Sequence, residues 1–210
     1  VPPPAVVGHG SARIAMLSAP LWGLLAALPG AAAAALIWWL AAAVGNASPL
    51  TALLAGLMAL AGCAWFTRGL HLDGLADLAD GLGSRRGRER SLEVMREPGV
   101  GAFGVIALVL MLGLQAAALG AAFSQGGGVI ALTGSVVVSR AALGFLTTSG
   151  TPARRDGLGA GVVGATSFTS AVLLFTGYAL LFTGLVAVTG GPWVVAVAAT
   201  LVGLASALAV

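Results

Sequence analysis

The sequence predicts an all-α fold, a polytopic transmembrane helical bundle of about six spans. Three observations carry this. Of 210 residues, 59% are hydrophobic and 8% are charged, whereas a soluble domain carries about 25% charge. Six apolar runs follow one another along the chain. The connections between most of them are short, as in antiparallel bundles. A soluble domain is excluded because its wetted surface needs more charge, and disorder because it needs low hydrophobicity. The 32 glycines suggest close helix contacts. No repeat or soluble domain stands out, so residues 1–210 read as one integral-membrane domain.

The first run, 14–44, would be about 46 Å long as helix. It contains Pro20 and Pro29-Gly30, so it is either one long kinked helix or two short spans. The runs 50–67, 100–123, 128–148, 166–189 and 192–210 each fit a single crossing. Charge clusters in two connections, about 68–99 and about 149–165, while those near 45–49, 124–128 and 190–191 carry none. If the first run crosses once, both charged loops fall on one side together with Arg13, and the positive-inside rule makes that side cytoplasmic. We prefer one crossing, with both ends in the cytoplasm and the protein in the cell inner membrane. Val1-Pro-Pro-Pro lacks a basic n-region, so no signal peptide is expected, and without Met the start reads as processed.

All ten cations are Arg and the net charge is +3. They lie beside acids or at membrane ends, so nucleic acid is not expected. Cys63 is the only cysteine, which excludes an internal disulfide. Trp22, Trp38, Trp39, Trp65 and Trp193 read as interface anchors or packing. His9 lies in a polar, proline-rich leader with no expected chemistry.

Six of the seven acids lie between 73 and 97. On a helix of about 100° per residue, Asp77 lies about 40° to one side of Asp73 and Asp80 about 20° to the other. Three carboxylates on one stripe repel each other and need a partner. Hard cations such as Mg²⁺ take carboxylate oxygens and leave positions for phosphate. The alternative is a solvated loop, but here the acids alternate with Leu and Ala rather than with cations. His71 projects from the far side, which favours packing or hydrogen bonding over metal ligation.

Ser91–Pro98 reads as a short helix with Ser91 as N-cap and Pro98 as stop. Glu93 and Glu97 share a face and offer a second acidic pair to the same metal; equally, this is an ordinary surface helix in which Glu93 pairs with Arg90 or Arg96. Among the arginines at 85, 86, 88 and 90, Arg85 is the nearest to the aspartates and suits a phosphate clamp; a purely topogenic cluster is the alternative. Arg140 stands alone about midway along the fourth apolar run, 128–148. An intramembrane cation is costly and usually functional, which favours contact with substrate phosphate or carboxylate over snorkelling. Arg154 and Arg155 in the second loop either close over an anionic substrate or only set topology.

Asp77-Leu-Ala-Asp80-Gly81-Leu-Gly-Ser84-Arg85 resembles the first half of the CDP-alcohol phosphotransferase signature, with Ser84 where that family has Ala; the second half is not present. A longer resemblance is to the cobalamin synthase family, the adenosylcobinamide-GDP ribazoletransferases. It rests on Pro20-Leu-Trp-Gly-Leu, on Gly69-Leu-His71-Leu-Asp73-Gly-Leu-Ala-Asp77-x-Ala-Asp80-Gly, on Leu92-Glu93-Val-Met95-Arg with Val100-Gly-Ala-Phe-Gly104, on Ser139-Arg140, and on Pro152-Ala-Arg154-x-x-Gly157-Leu-Gly159. Glu97-Pro98-Gly99 departs from the pattern, and the sequence stops before a C-terminal glycine- and Asp-bearing block of the family. If that block gives the site an acid, this form is expected to be inactive.

The resemblance implies a transferase that joins adenosylcobinamide-GDP to α-ribazole or its 5′-phosphate, releasing GMP, as the last step of cobalamin nucleotide-loop assembly. It implies Asp73, Asp77 and Asp80 as catalytic groups and, with Glu93 and Glu97, as ligands of Mg²⁺. It implies Arg85, Arg140, Arg154 and His71 as substrate contacts. Membrane lipid is the surrounding partner, and a homo-oligomer stays open. The rival readings are a CDP-alcohol-type phosphotransferase of phospholipid synthesis and an ion-coupled transporter; against the latter, the acids lie at a span end and in a loop, not at mid-membrane.

Overall fold

The computed structural model describes residues 8–85, 87–150, 152 and 158–190. The sixth expected span, 192–210, lies outside the described residues, and so does Arg154. Among the described residues the chain is helical, without strands. In order come α1 His9–Ala43, α2 Pro49–Phe66, α3 Leu70–Gly83, α4 Arg88–Val94, α5 Ala102–Ser124, α6 Gly128–Leu146 and α7 Phe168–Val188, with a 3-10 turn at Leu158–Gly161. Of these, α1, α2, α5, α6 and α7 are long and apolar enough to cross a membrane. The structure is thus the all-α polytopic bundle expected from composition.

The first apolar run is one uninterrupted helix of 35 residues. Pro20 and Pro29 sit inside it, and the whole run forms a single helix long and apolar enough to cross a membrane. Several helix ends are written in local sequence. At α2, Ser48 Oγ accepts from the Thr51 backbone N–H at 3.3 Å. Thr51 Oγ1 accepts from the Ser48 N–H at 2.8 Å. Pro49 follows at the first helical position, where its missing N–H costs nothing. At α7, Ser167 Oγ accepts from the Ser170 N–H at 3.1 Å.

The short helix α4 corrects the expected cap. It begins at Arg88 with Gly87 as N-cap, and ends at Val94, four residues before Pro98. Ser91 is already inside it: its N–H donates to the Gly87 carbonyl at 3.0 Å. Its hydroxyl lies 3.4 Å from that of Ser84 at the end of α3.

Burial is inverted relative to a soluble protein. Fifteen of the twenty buried apolar residues among those described are alanine. The large apolar side chains point outward: Trp65 is 86% and Val188 is 87% exposed. Lipid solvates such side chains as well as a protein core does, so helices gain from close backbone approach rather than from burying bulk.

The chain divides into two compact units, Ala26–Leu132 and the remainder. In the first, α2 packs along α5, and α3 packs on α5 and α4. The α2–α5 contact is built from Ala52 and Gly56 against Ala116 and Gly120: a Cβ on Gly56 would strike the Ala116 carbonyl, and one on Gly120 the Ala52 carbonyl. Likewise Gly62 of α2 lies against the backbone of Gly30 in α1. In the other unit, Val138, Ala141 and Ala142 of α6 pack on Phe175 of α7. Phe145 meets Phe175 edge-on at 5.7 Å and Phe168 at 6.0 Å. Thr166 Oγ1 donates to the Gly144 carbonyl at 3.0 Å and ties the connection before α7 to the end of α6.

Candidate active site

The acidic helix is launched by a sharp reversal after α2. The Gly69 N–H donates to the Ala64 carbonyl at 2.8 Å and the Arg68 N–H to Trp65 at 3.1 Å, the paired bonds of a Schellman ending. Arg68, at φ 54°, takes the left-handed position that usually falls to glycine. Arg85 does the same at the end of α3, at φ 48°. His71 is the second residue of α3, and its Nδ1 lies 2.9 Å from Thr67 Oγ1.

All three aspartates lie on α3, as the spacing predicts. They face different surroundings. Asp73 is exposed, whereas Asp77 and Asp80 are half-buried. The helix turns Ala76 and Gly81 inward. Gly81 leaves room for Met95, and Gly83 for the Phe103 ring, which lets the α4 turn and the start of α5 close on α3. Between them lies an open cleft of about 320 Å³, lined by Asp77, Asp80, Ser84, Glu97, Phe103 and the 98–101 backbone. Asp73 and Glu93 are not part of that lining.

Each carboxylate oxygen of Asp80 takes one backbone N–H from the start of α5. Its Oδ2 accepts the Gly101 N–H at 2.7 Å, and its Oδ1 accepts the Gly104 N–H at 2.9 Å. Glu93 and Glu97 both reach Arg90, at 2.8 Å and 3.2 Å. The hydrogen bond that Arg90 donates to Glu93, then the charges of Glu97 and Glu93, hold the Arg90 guanidinium above its ordinary pKa. The surface-helix alternative for the two glutamates is therefore present in the structure, and Glu97 also borders the cleft.

Arg85 is exposed, just past the end of α3. Arg140 belongs to the other unit. It is half-buried on α6, its aliphatic stem and Val136 lying where a Cβ on Gly23 of α1 would fall. Thus Asp77, Asp80 and Glu97 come together in one cleft, Asp73 and Glu93 do not line it, and Arg140 belongs to the other unit.

The donor set suits a hard cation in composition, since it is all carboxylate oxygen. Among the described residues, however, no three His, Cys, Asp or Glu side chains gather closely enough to hold a metal ion together. That arrangement fits Mg²⁺ bound by one or two carboxylates with phosphate and water completing its shell, rather than an all-protein cage.

Sequence reasoning gave no role to Gly101 and Gly104. A signal was available: Gly101 begins a long apolar helix as its N-cap yet has no side chain to cap with, which calls for a cap from elsewhere.

Long apolar helices joined by small-residue contacts, with an acidic cleft at the mouth of α5, define a polytopic helical membrane protein. The family model described as cobalamin-5-phosphate synthase matches residues 1–210. The chain belongs to that family. Among similar proteins named adenosylcobinamide-GDP ribazoletransferase, that of Frankia casuarinae is 42% identical over 77% of this chain and 58% of its own length. The Sinorhizobium medicae protein is 38% identical over 73% and 57%, and that of a Nocardioides species 43% over 82% and 71%. The chain thus spans somewhat under three fifths of the first two relatives. No solved structure matches it.

Proposed function

We propose that this chain carries the transferase chemistry for which those relatives are named, acting on adenosylcobinamide-GDP and α-ribazole or its 5′-phosphate. The observation that supports it most is the convergence of Asp77, Asp80 and Glu97 on one cleft within a chain of this family. In the reaction, the ribazole hydroxyl attacks the phosphorus attached to cobinamide. The bond from that phosphorus to the GMP oxygen breaks, GMP leaves, and the hydroxyl proton passes to a cleft carboxylate. Asp77 and Glu97 are the residues that would hold Mg²⁺. When bound, the ion supplies charge neutralisation to the pyrophosphate. Arg85 of this chain offers a guanidinium fork to phosphate oxygens, and His71 orients the start of α3. Most of the catalysis is then positioning and charge stabilisation. The cleft opens on the cytoplasmic side of the inner membrane. Neither the CDP-alcohol reading nor the transporter reading is favoured by the family match.

The test is an assay of purified protein in liposomes, with adenosylcobinamide-GDP and α-ribazole, with and without Mg²⁺. GMP release and cobamide product are followed together. Equal amounts of both, dependent on Mg²⁺, are expected. A folded chain, extended to the full length of its relatives, that makes neither product overturns the proposal.

A further inference from the structure

The N-terminus of α5 has no cap of its own. Its N-cap is Gly101, without a side chain, and its third helical residue is Gly104. Left alone, their N–H groups would be among the orphan donors of a helix start. Both are taken by one carboxylate from another helix, Asp80 of α3, at 2.7 Å and 2.9 Å. The fit is mutual: a Cβ on either Gly101 or Gly104 would collide with that carboxylate. The contact joins residues 21 and 24 apart in sequence, so it fixes α3 against α5 rather than completing a local turn.

We infer that Asp80 is a positioning residue, a cap supplied in trans that sets the width of the acidic cleft, and not a metal ligand or proton acceptor. It acts through its neighbours. Asp77 lies one turn earlier on α3, and Glu97 lies in the segment leading into Gly101; both border the cleft. Tying Asp80 to the α5 terminus fixes the helix that carries Asp77 against the segment that follows Glu97. A negative charge at a helix N-terminus is stabilised there by the helix dipole and by charge-assisted bonds, so the carboxylate is well suited to this role. The inference deepens the transferase reading, and its activity arm rests on that reading; its structural arms do not.

Three variants of the full-length protein in liposomes test it: Asp80→Asn, Asp80→Ala and the double variant Asp80→Ala/Gly101→Ser. The last restores a cap from within α5. Gly101 has φ −80° and ψ 177°, a conformation suited to an N-cap serine, and removing the carboxylate frees the space for its Cβ. Amide exchange over 100–106 is expected to speed up about tenfold in Asp80→Ala and to return most of the way in the double variant. Mn²⁺ affinity, read by electron paramagnetic resonance without substrate, should stay within about twofold of the parent in Asp80→Asn, as expected of a group that is not a ligand. In the assay, kcat should fall in Asp80→Asn while the Mg²⁺ concentration for half-maximal rate holds.

Unchanged exchange in Asp80→Ala overturns the proposal. So does a tenfold loss of Mn²⁺ affinity in Asp80→Asn with exchange unaltered, or full kcat in that variant. If the parent makes no product while the exchange and Mn²⁺ results come out as expected, the reaction assignment fails and the positioning role stands.

Discussion

Asp77 is half-buried and, unlike Asp80, borders the cleft without holding a helix end. Asp77→Asn keeps its shape and removes its charge. Turnover should fall at least about 100-fold, the scale of losing one electrostatic group at a reacting centre, while the protein inserts and melts as before. GMP release, with circular dichroism on the same sample, checks it; near-parental turnover would remove Asp77 from the site. The three aspartates look equivalent in sequence, since spacing alone puts them on one stripe. What separates them is the neighbour each meets: water for Asp73, the cleft for Asp77, two backbone N–H groups for Asp80. Those neighbours come from 20 or more residues away, beyond the reach of helical periodicity. The glutamates differ likewise, because Arg90 gathers both while only Glu97 reaches the cleft.

The helices that carry these residues are held by absence of bulk. Along α2 and α5, Ala52 and Gly56 face Ala116 and Gly120, each pair four residues apart and so on one face of its helix. Gly56→Leu would drive a side chain into the Ala116 backbone. Forcing the helices apart should cost about 1–3 kcal/mol and loosen α3, which also rests on α5. Gly113→Ala, where a Cβ meets nothing within 4 Å, should leave stability unchanged or raise it by up to about 1 kcal/mol. Unfolding midpoints of the two variants in mixed micelles should therefore move in opposite directions or not at all for the second; a matching loss in both would mean that glycine content, rather than contact, matters. Among the described residues, the ends of the long apolar helices were legible from hydropathy to within about five residues. The α4 start was not, because Ser91 is a good cap type whose hydroxyl is drawn to Ser84 instead.

Across the molecule, a single crossing by α1 is the topology that would bring the acidic 68–99 connection to the cytoplasmic face. A cysteine introduced at Arg88, in a background with Cys63→Ala, should react with an impermeant maleimide in inside-out vesicles and remain unlabelled in right-side-out ones. The reverse pattern would put the cleft on the outer face and rule out a cytoplasmic substrate.

Composition and hydropathy determined the membrane class and the helical runs, because about 20 apolar residues must become helix to satisfy their backbone in lipid. The Asp73–Asp80 block with its companion motifs determined the family resemblance, since those residue types recur at fixed spacing. Tertiary structure decided that α1 passes Pro20 and Pro29 as one helix. It also decided which acids share a cleft, and that Asp80 serves the start of α5. Those outcomes depend on contacts between helices, and in a chain whose interfaces are mostly Ala and Gly the sequence marks where backbones can approach without naming which ones do.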